Sequence, residues 1–226
     1  ANSGAEPQFE SSSHSIAESI AGTLKTAIHA QNSASLVVCG GSSPLEIFDA
    51  LQTHELEWDK VTILLVDDRL VDPLSSDSNQ QLIRTRLLQN QAKSAHFIPL
   101  STSLLGSKNL ALPFTVTLLG MGIDGHFASL FPAAIQPLDV NYSVKTVPDI
   151  LDANADIDII TTPPQGSPCL PRISMNLALI LQSERIILLA NGAKKQAILD
   201  DAKTNPLLPI YWLLQQTNKI IEIERL

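Results

Sequence analysis

Short, predominantly apolar segments alternate along this chain with segments whose apolar residues recur at helical spacing, and this alternation restricts the fold most. Buried strands are predicted at 35–39, 61–66, 114–119, 157–161 and 185–190. Helices are predicted at 16–31, 44–51, 78–89, 174–182 and from Gly192 onward. Strands that are apolar on both faces need cover on both faces. The pattern therefore predicts an α/β fold with an open, mostly parallel, Rossmann-like sheet and helices on both faces.

The alternation also predicts the domain organisation. It continues through most of the chain, so we expect a single α/β domain over residues 1–226. Residues 1–13 precede the first helical pattern and are expected to be flexible. The proline-rich segment 163–168 is expected to be a loop within the domain, because the alternation resumes after it. Residues 220–223 are predicted to form a last strand at the edge of the sheet.

Charge and cysteine content argue against several classes of function. The net charge is −8 and no run of basic residues is present, which disfavours a nucleic-acid partner. No apolar stretch approaches the ~18 residues of a membrane-spanning helix. Cys39 and Cys169 have neither a disulfide framework nor a metal-ligand spacing, which is typical of reduced thiols. We expect a cytoplasmic protein without a metal site and without a membrane partner.

Polar residues directly follow several predicted strands, at the edge where open α/β sheets bind their ligands. The loops concerned are 40–43, 67–69, 120–126 and 191–194, and segment 171–174 adds a cation ahead of a predicted helix. Taken singly, each is also typical of an ordinary tight turn or a solvated charged group. Their convergence on one edge of one sheet favours a shared binding site.

The loop that ends in His126 carries the clearest chemical signal. Asp124 precedes this histidine by two residues, and Gly122 and Gly125 permit the chain to turn sharply between them. A nearby carboxylate can orient an imidazole and raise its basicity, as a general base requires. A histidine that only makes structural hydrogen bonds is the alternative.

The loop 40–43 carries a second signal, for an anion. Its glycines and serines precede a helix predicted to start at Pro44, where free N–H groups and hydroxyls suit a phosphate. A tight strand-to-helix connection is the alternative. The chain has no Walker motif, no Gly-x-Ser-x-Gly elbow and no Gly-x-Gly-x-x-Gly after the first strand, which disfavours dinucleotide binding.

Five segments together resemble the signature segments of 6-phosphogluconolactonases, within the wider superfamily that includes glucosamine-6-phosphate deaminases. In chain order they are CGGSSPLEIFDAL, VDDRLVDPLSSDSNQQLIRTRLL, LLGMGIDGHFASLFP, PRISMNLALI and LLANGAKKQAIL. The chain departs from the usual family pattern at Ser43, Asp68 and Phe127, where relatives usually carry Thr, Glu and Thr. The resemblance implies the sugar-phosphate isomerase/deaminase-like fold.

The resemblance implies hydrolysis of 6-phosphoglucono-δ-lactone to 6-phosphogluconate in the oxidative pentose phosphate pathway, without metal or organic cofactor. His126 would be the general base that deprotonates the attacking water, and Asp124 would orient it. The candidate donors to the developing oxyanion are the N–H groups of Gly40 and Gly41, or those of residues 122–125. The expected partner is a small sugar-phosphate lactone, and we expect a monomer or weak homodimer.

The remaining candidates would hold the substrate. Arg172 and Lys194 are predicted to bind its phosphate, with help from Ser42 and Ser43. Arg69 either joins them or pairs with Asp67. Asp68 is predicted to contact sugar hydroxyls.

Two alternative functions differ in their sequence requirements. Deaminase relatives place a glutamate five residues after the loop histidine, and this chain has Phe131 there. A non-catalytic sugar-phosphate-binding protein would need the phosphate loop but not the base. The presence of both His126 and Asp124 argues against that second alternative.

Overall fold

The chain forms two sheets, a parallel one of six strands and a smaller antiparallel one of three. A computed structural model describes residues 12–135 and 147–226. The strands of the described residues are β1 (Ala34–Val38), β2 (Val61–Leu65), β3 (Asp67–Arg69), β4 (His96–Ile98), β5 (Phe114–Leu119), β6 (Ile159–Gln165), β7 (Leu170–Met175), β8 (Ser183–Leu189) and β9 (Ile221–Glu224). The large sheet has the order β4-β2-β1-β5-β8-β9, so the predicted parallel sheet and its edge strand near residue 220 are confirmed.

The antiparallel sheet, ordered β3-β7-β6, is a feature the sequence analysis missed. The predicted strand at 157–161 exists, but it is the start of β6 and belongs to this small sheet. The predicted loop at 163–168 is wrong in its first half, because β6 runs on through both prolines to Gln165. Proline is tolerated there because β6 is an edge strand and needs no ladder donor on its outer side.

The helix predicted at 174–182 is also wrong in its first part. Arg172 to Met175 form the end of β7, and all four residues are buried, so no solvent-facing side of a helix exists there. The helix is one turn, 177–180, and Asn176 caps it by accepting from the N–H of Leu179 at 2.9 Å. Arg172 therefore lies on a strand, whereas the sequence analysis placed it at the start of a helix.

Six α-helices of the described residues cover the two faces of the large sheet. They are α1 (Ser12–Gln31), α2 (Leu45–Leu51), α3 (Asn79–Arg86), α4 (Leu177–Ile180), α5 (Gly192–Asp201) and α6 (Pro209–Gln215). Within β1, Leu36 and Val38 pack with α1, α2 and α3, while Val37 faces the core formed with α4, α5, α6 and the small sheet. Successive residues of one strand thus serve opposite cores, which explains why the strand is apolar throughout.

The last two residues of the segment expected to be flexible belong to a helix. Helix α1 begins at Ser12, and the hydroxyl of the buried Ser13 donates to Glu46 of α2 at 3.0 Å. The flexibility of the segment stays a prediction, and residues 1–11, to which it also applies, lie outside the described residues.

The register of the large sheet places its carboxyl ends side by side. Val38 of β1 is level with Leu65 of β2, and Leu119 of β5 is level with Leu188 of β8. The loops that leave these strands therefore meet at one edge. None of the helices in the described ranges is long and apolar enough to cross a membrane.

Candidate active site

A cavity of about 240 Å³ opens where these loops meet, and the small sheet forms part of its wall. Nine of the predicted site residues line it: Gly40, Gly41, Ser42, Ser43, Asp67, Arg69, Gly122, His126 and Arg172. Four other predicted site residues are not among the described residues that line the cavity: Asp68, Asp124, Gly125 and Lys194. The convergence expected from the sequence is thus present, with four residues in other roles.

His126 and Asp124 form a hydrogen-bonded pair at the cavity. Nδ1 of the imidazole contacts Oδ1 of the carboxylate, and the same oxygen accepts the backbone N–H of His126 at 3.1 Å. Partial burial raises the pKa of Asp124, but the hydrogen bond and charge interaction with His126 outweigh it and hold this pKa below its usual value. The carboxylate therefore stays ionised and fixes the imidazole so that Nε2 is left for substrate or water.

Gly122 and Gly125 shape this loop rather than offer free donors. A Cβ on residue 122 would lie 2.2 Å from Cε1 of His126, so only glycine leaves room for the imidazole. The N–H of Gly122 donates to the carbonyl of His126 at 2.9 Å, and the N–H of Gly125 donates to the carbonyl of Gly122 at 3.0 Å. Both N–H groups are already used, so neither is free to stabilise an oxyanion.

Gly125 lies outside the cavity wall and ties the loop to the C-terminal part of the chain. It has φ +81, and a Cβ there would lie 3.1 Å from the side chain of Leu208. Its carbonyl accepts the N–H of Ile210, in the first turn of α6, at 2.9 Å. Gly125 thus supports the loop, and its contact with substrate stays a prediction.

The loop from Gly40 to Ser43 differs from the histidine loop in its backbone N–H groups. Within the described part of the chain, none of its four N–H groups donates a hydrogen bond. All four residues line the cavity and precede α2. These unpaired donors can bind an anionic oxygen, so of the two candidate donor sets this one is open.

Asp67 reaches the cavity from the first position of β3. Its Oδ2 accepts the hydroxyl of Ser129 at 2.6 Å, and Ser129 is held in turn through its N–H by the hydroxyl of Ser174 at 3.1 Å. Burial raises the pKa of Asp67, although the Ser129 hydrogen bond and the charge of Arg172 oppose the shift. No ion pair joins Asp67 to Arg69 among the described residues.

Asp68 is held by backbone N–H groups and is not among the described residues of the cavity wall, so its contact with sugar hydroxyls stays a prediction. Its Oδ1 accepts the N–H groups of Arg69 at 2.8 Å and Asn79 at 2.7 Å, and its Oδ2 accepts that of Gln80 at 3.2 Å. A carboxylate at this place caps the first turn of α3. Burial raises its pKa, opposed by these backbone N–H groups.

Arg69 and Arg172 face each other across β3 and β7 as directly paired residues. Arg172 is 3% exposed, and Nε and Nη2 donate to the carbonyls of Gln165 at 3.0 Å and Pro168 at 2.9 Å. Nη1 of Arg69 donates to the carbonyl of Asp77 at 2.8 Å, while its buried Nε has no partner among the described residues. Burial, and then the charge of Arg69, lower the pKa of Arg172.

Two adjacent guanidinium groups at one cavity wall repel each other, and neither has a carboxylate within ion-pair distance among the described residues. Burying an unpaired charge is costly unless a counter-charge arrives. The arrangement therefore calls for an anion with several oxygens, which can accept from both groups at once.

Phe131 connects the histidine with the arginine. Its ring centroid lies 4.6 Å from that of His126, and Cζ of Arg172 lies over the same ring at 5.2 Å. The residue is only 4% exposed, so its ring excludes water between the two groups. The position where deaminase relatives carry an acid thus holds an apolar spacer in this chain.

The lysine at the cavity is Lys195 and not Lys194. Nζ of Lys195 lies 3.5 Å from the hydroxyl of Ser43, whereas Lys194 is exposed. The reason is helical geometry, because Lys195 shares a face of α5 with Leu199, the buried residue four positions later. That spacing was readable from the sequence and was overlooked.

The sequence analysis missed other residues of the wall. Asn79, Cys39 and Ala128 all line the cavity. Burial, and then the charge of Asp67, raise the pKa of the Cys39 thiol to about 12, so it remains a neutral thiol. Phe127, one of the departures from the family pattern, is fully buried in the core and is not among the described residues of the wall.

Comparison with known proteins places this geometry among sugar-phosphate enzymes. The family model described as glucosamine-6-phosphate isomerases/6-phosphogluconolactonase matches residues 7–221. A 6-phosphogluconolactonase of Caulobacter vibrioides is 35% identical over 215 residues, covering 90% of this chain and 88% of the relative. A Rhizobium meliloti 6-phosphogluconolactonase is 31% identical over 92% of this chain and 91% of its own length.

Solved structures similar to this chain come from the same family. The crystal structure of a 6-phosphogluconolactonase from Shewanella baltica superposes with a TM-score of 0.78 at 30% identity, covering 96% of this chain and 95% of the other. A putative 6-phosphogluconolactonase from Neisseria gonorrhoeae gives a TM-score of 0.80 at 30% identity, with 96% of both chains covered. The similarity therefore extends over both sheets and the site between them.

Proposed function

The chain belongs to the glucosamine-6-phosphate isomerase/6-phosphogluconolactonase family, and from this premise we propose that it hydrolyses 6-phospho-D-glucono-1,5-lactone to 6-phospho-D-gluconate. The reaction is the lactone-opening step of the oxidative pentose phosphate pathway. The single observation that carries the proposal is the joint presence, in one cavity, of an Asp124-oriented imidazole and two guanidinium groups that lack a carboxylate partner among the described residues.

Ester hydrolysis needs a base that takes a proton from water as the water attacks the carbonyl carbon. We assign this role to Nε2 of His126, because Nδ1 is engaged by the ionised Asp124. The carboxylate stabilises the imidazolium that forms when the proton is taken. The same imidazolium can then return the proton to the ring oxygen that leaves when the C–O bond of the lactone breaks.

The carbonyl oxygen gains negative charge in the tetrahedral intermediate and needs donors that are already in place. We assign these donors to the loop 40–43, whose N–H groups are unpaired in the described residues. Of the alternative donors at residues 122–125, the N–H groups of Gly122 and Gly125 are consumed within their own loop. The serine hydroxyls of the loop 40–43 add further donors.

The substrate phosphate requires cations, and we assign it to Arg69, Arg172 and Lys195. The two arginines are paired across the small sheet and share the cavity wall with the lysine. Three convergent cations oppose the field of a chain whose net charge is −8. Because the attraction between these cations and the phosphate is electrostatic and salt screens it, substrate affinity should fall as salt concentration rises.

We infer that the protein acts in the cytoplasm as a monomer or weak homodimer, without a metal and without a nucleic-acid or membrane partner. Acidic overall charge and two free cysteines support this setting. The deaminase alternative needs an acid at position 131, where Phe131 lies against the imidazole. The non-catalytic alternative does not account for the Asp124–His126 pair.

The test is a coupled assay in which glucose-6-phosphate dehydrogenase generates the lactone and its hydrolysis is followed against the spontaneous rate. We expect the wild-type protein to accelerate hydrolysis and His126→Ala to reduce kcat by about 100- to 10,000-fold, as the loss of a general base does. His54→Ala serves as control, because His54 is outside the cavity wall of the described residues. Wild-type turnover by His126→Ala would overturn the assignment of the base.

A further inference from the structure

Asn79 is a buried polar residue of the cavity wall to which the proposed mechanism gives no task. It is the first residue of α3 and is 5% exposed. Its backbone N–H is held by Asp68, as described above. The side chain is therefore anchored at a defined point between the loop at Gly40 and the start of β3.

The orientation of the Asn79 amide follows from its hydrogen bonding. Nδ2 donates to the main-chain carbonyl of Asp67 at 3.0 Å. A carbonyl oxygen can only accept, so the nitrogen must face Asp67 and Oδ1 must point away from it. Within the described residues Oδ1 accepts no hydrogen bond, although the residue lines the cavity.

Gly40 leaves room for this oxygen. A Cβ on residue 40 would lie 2.1 Å from Oδ1 and 2.5 Å from Cγ of Asn79, so any larger residue would displace the amide. The glycine that begins the donor loop thus also makes space for an acceptor beside it. The close approach ties the amide to the loop that we assign to the oxyanion.

The cavity has many donors and few acceptors. Arg69, Arg172, Lys195 and the loop N–H groups all donate. Among the described residues of the wall, side-chain carboxylate and amide oxygens belong to Asp67 and Asn79 alone. A polyhydroxylated lactone brings several hydroxyl protons into the cavity, and each needs an acceptor once water has left.

We propose that Oδ1 of Asn79 accepts a hydrogen bond from one ring hydroxyl of the lactone, next to Asp67, and thereby sets specificity for that hydroxyl. The inference rests on the proposed function and adds a specificity-determining residue to it. A site built to bond a hydroxyl rejects the analogue that lacks it, because its own acceptor is then left unpaired. The expected preference is about 10-fold or more in kcat/KM.

The experiment compares the parent 6-phospholactone with its 2-deoxy, 3-deoxy and 4-deoxy analogues in the wild-type protein and in Asn79→Leu. Leucine has the same branched arrangement of side-chain heavy atoms as asparagine and no acceptor. We expect the wild-type protein to prefer the parent over one analogue by about 10-fold or more, and Asn79→Leu to lose that preference alone. Equal preferences in both proteins would overturn the inference, as would a uniform slowing of all four substrates.

Two further variants keep the test decisive. Ser78→Ala removes the cap bond from the N–H of Gln81 to the Ser78 hydroxyl, at 3.3 Å, and leaves the Asn79 amide, so it should keep the wild-type preference. Asn79→Ala repeats the measurement if Asn79→Leu does not fold. Failure of both Asn79 variants to fold would assign the residue to the framework and overturn the inference.

The outcomes also separate this inference from the function on which it rests. If the wild-type protein hydrolyses no lactone faster than the spontaneous rate, the proposed function and the inference both fail. If it hydrolyses the parent lactone and Asn79→Leu keeps every preference, the inference alone fails.

Discussion

The two sheets supply different parts of the site. The parallel sheet contributes His126 and the loop 40–43, on segments that leave β5 and β1 at their carboxyl ends. The antiparallel sheet contributes Arg69 and Arg172, which lie on strands and face each other across the pairing of β3 with β7. The groups proposed for catalysis thus come from loops of the large sheet, and the arginines proposed to bind the phosphate come from the body of the small one.

This division has a physical consequence. The loops that follow parallel strands present free N–H groups at the carboxyl edge of the sheet, which suits a reacting carbonyl. Cross-strand pairing in an antiparallel sheet fixes two side chains close together, which suits a phosphate that must be held by both. Substitutions in the small sheet should therefore affect binding, and substitutions in the loops of the large sheet should affect turnover.

Replacing the buried arginine of the small sheet should have the largest effect on binding. Arg172→Met removes a guanidinium from the cavity wall, so we expect KM for the phosphorylated lactone to rise at least about 30-fold with little change in kcat. The unphosphorylated lactone should be affected little. Arg185→Met is the matched control, since Arg185 pairs with Glu222 at 2.7 Å on the large sheet. Equal effects on both lactones would remove Arg172 from the phosphate site.

Phe131 tests whether the two regions act independently, because its ring contacts a group from each. Phe131→Leu loses the ring contacts with His126 and Arg172, and we expect kcat to fall and KM to rise by about 5-fold each. Steady-state kinetics with both lactones would measure the two effects. Phe114→Leu, in the fully buried core, should lower the melting temperature without this pattern. A change in KM alone would mean that the ring supports only the arginine.

The two neighbouring lysines of α5 allow a direct comparison of KM, with a smaller expected effect. Lys195→Ala should raise KM by about 3- to 10-fold, as expected for a half-exposed cation. Lys194→Ala should leave KM unchanged, because this side chain is exposed and absent from the described cavity wall. Titration of KM with salt should show a weaker dependence for the Lys195 variant. A larger rise in KM for Lys194→Ala than for Lys195→Ala would contradict the orientation of α5.

Replacing Asp67, at the junction of the two sheets, should have the smallest effect of these changes. The property affected should be the stability of the protein. Its raised pKa means that folding disfavours the charged form. Asp67→Asn should therefore increase the free energy of unfolding at neutral pH while it lowers kcat/KM. The difference in free energy of unfolding between the two proteins should shrink as pH falls through the raised pKa towards 3.8. In that range the folded wild-type protein binds a proton at Asp67 that the unfolded chain does not yet bind. Urea unfolding of both proteins at several pH values would measure this, and a constant difference would contradict it.

Much of the large sheet and of the catalytic loop could be predicted from the sequence. The predicted strand at 114–119 coincides with β5 at both ends, because a run of apolar and β-branched residues of strand length that stops at a glycine is typical of a buried strand. The pairing of Asp124 with His126 was also predictable, since only one residue separates them in a tight turn. Such features are local, and local sequence determines them.

The small sheet could not be predicted in this way. Strand β3 is three residues long and wholly charged, and it becomes a strand only because β7, which lies far along the chain, pairs with it. The same pairing decides that Arg172 lies opposite Arg69, which no local pattern encodes. Asp68 likewise resembled a substrate ligand until the position of α3 showed which N–H groups it caps.

By itself, the sequence determined a parallel α/β sheet with His126 at its carboxyl edge, because apolar runs and glycine turns act over a few residues. Only the tertiary structure decided which cations line the cavity, which glycine loop has N–H groups unpaired within the described residues and that Asn79 offers an acceptor unpaired within them. The physical reason is that these properties depend on hydrogen bonds and contacts between segments far apart in the chain.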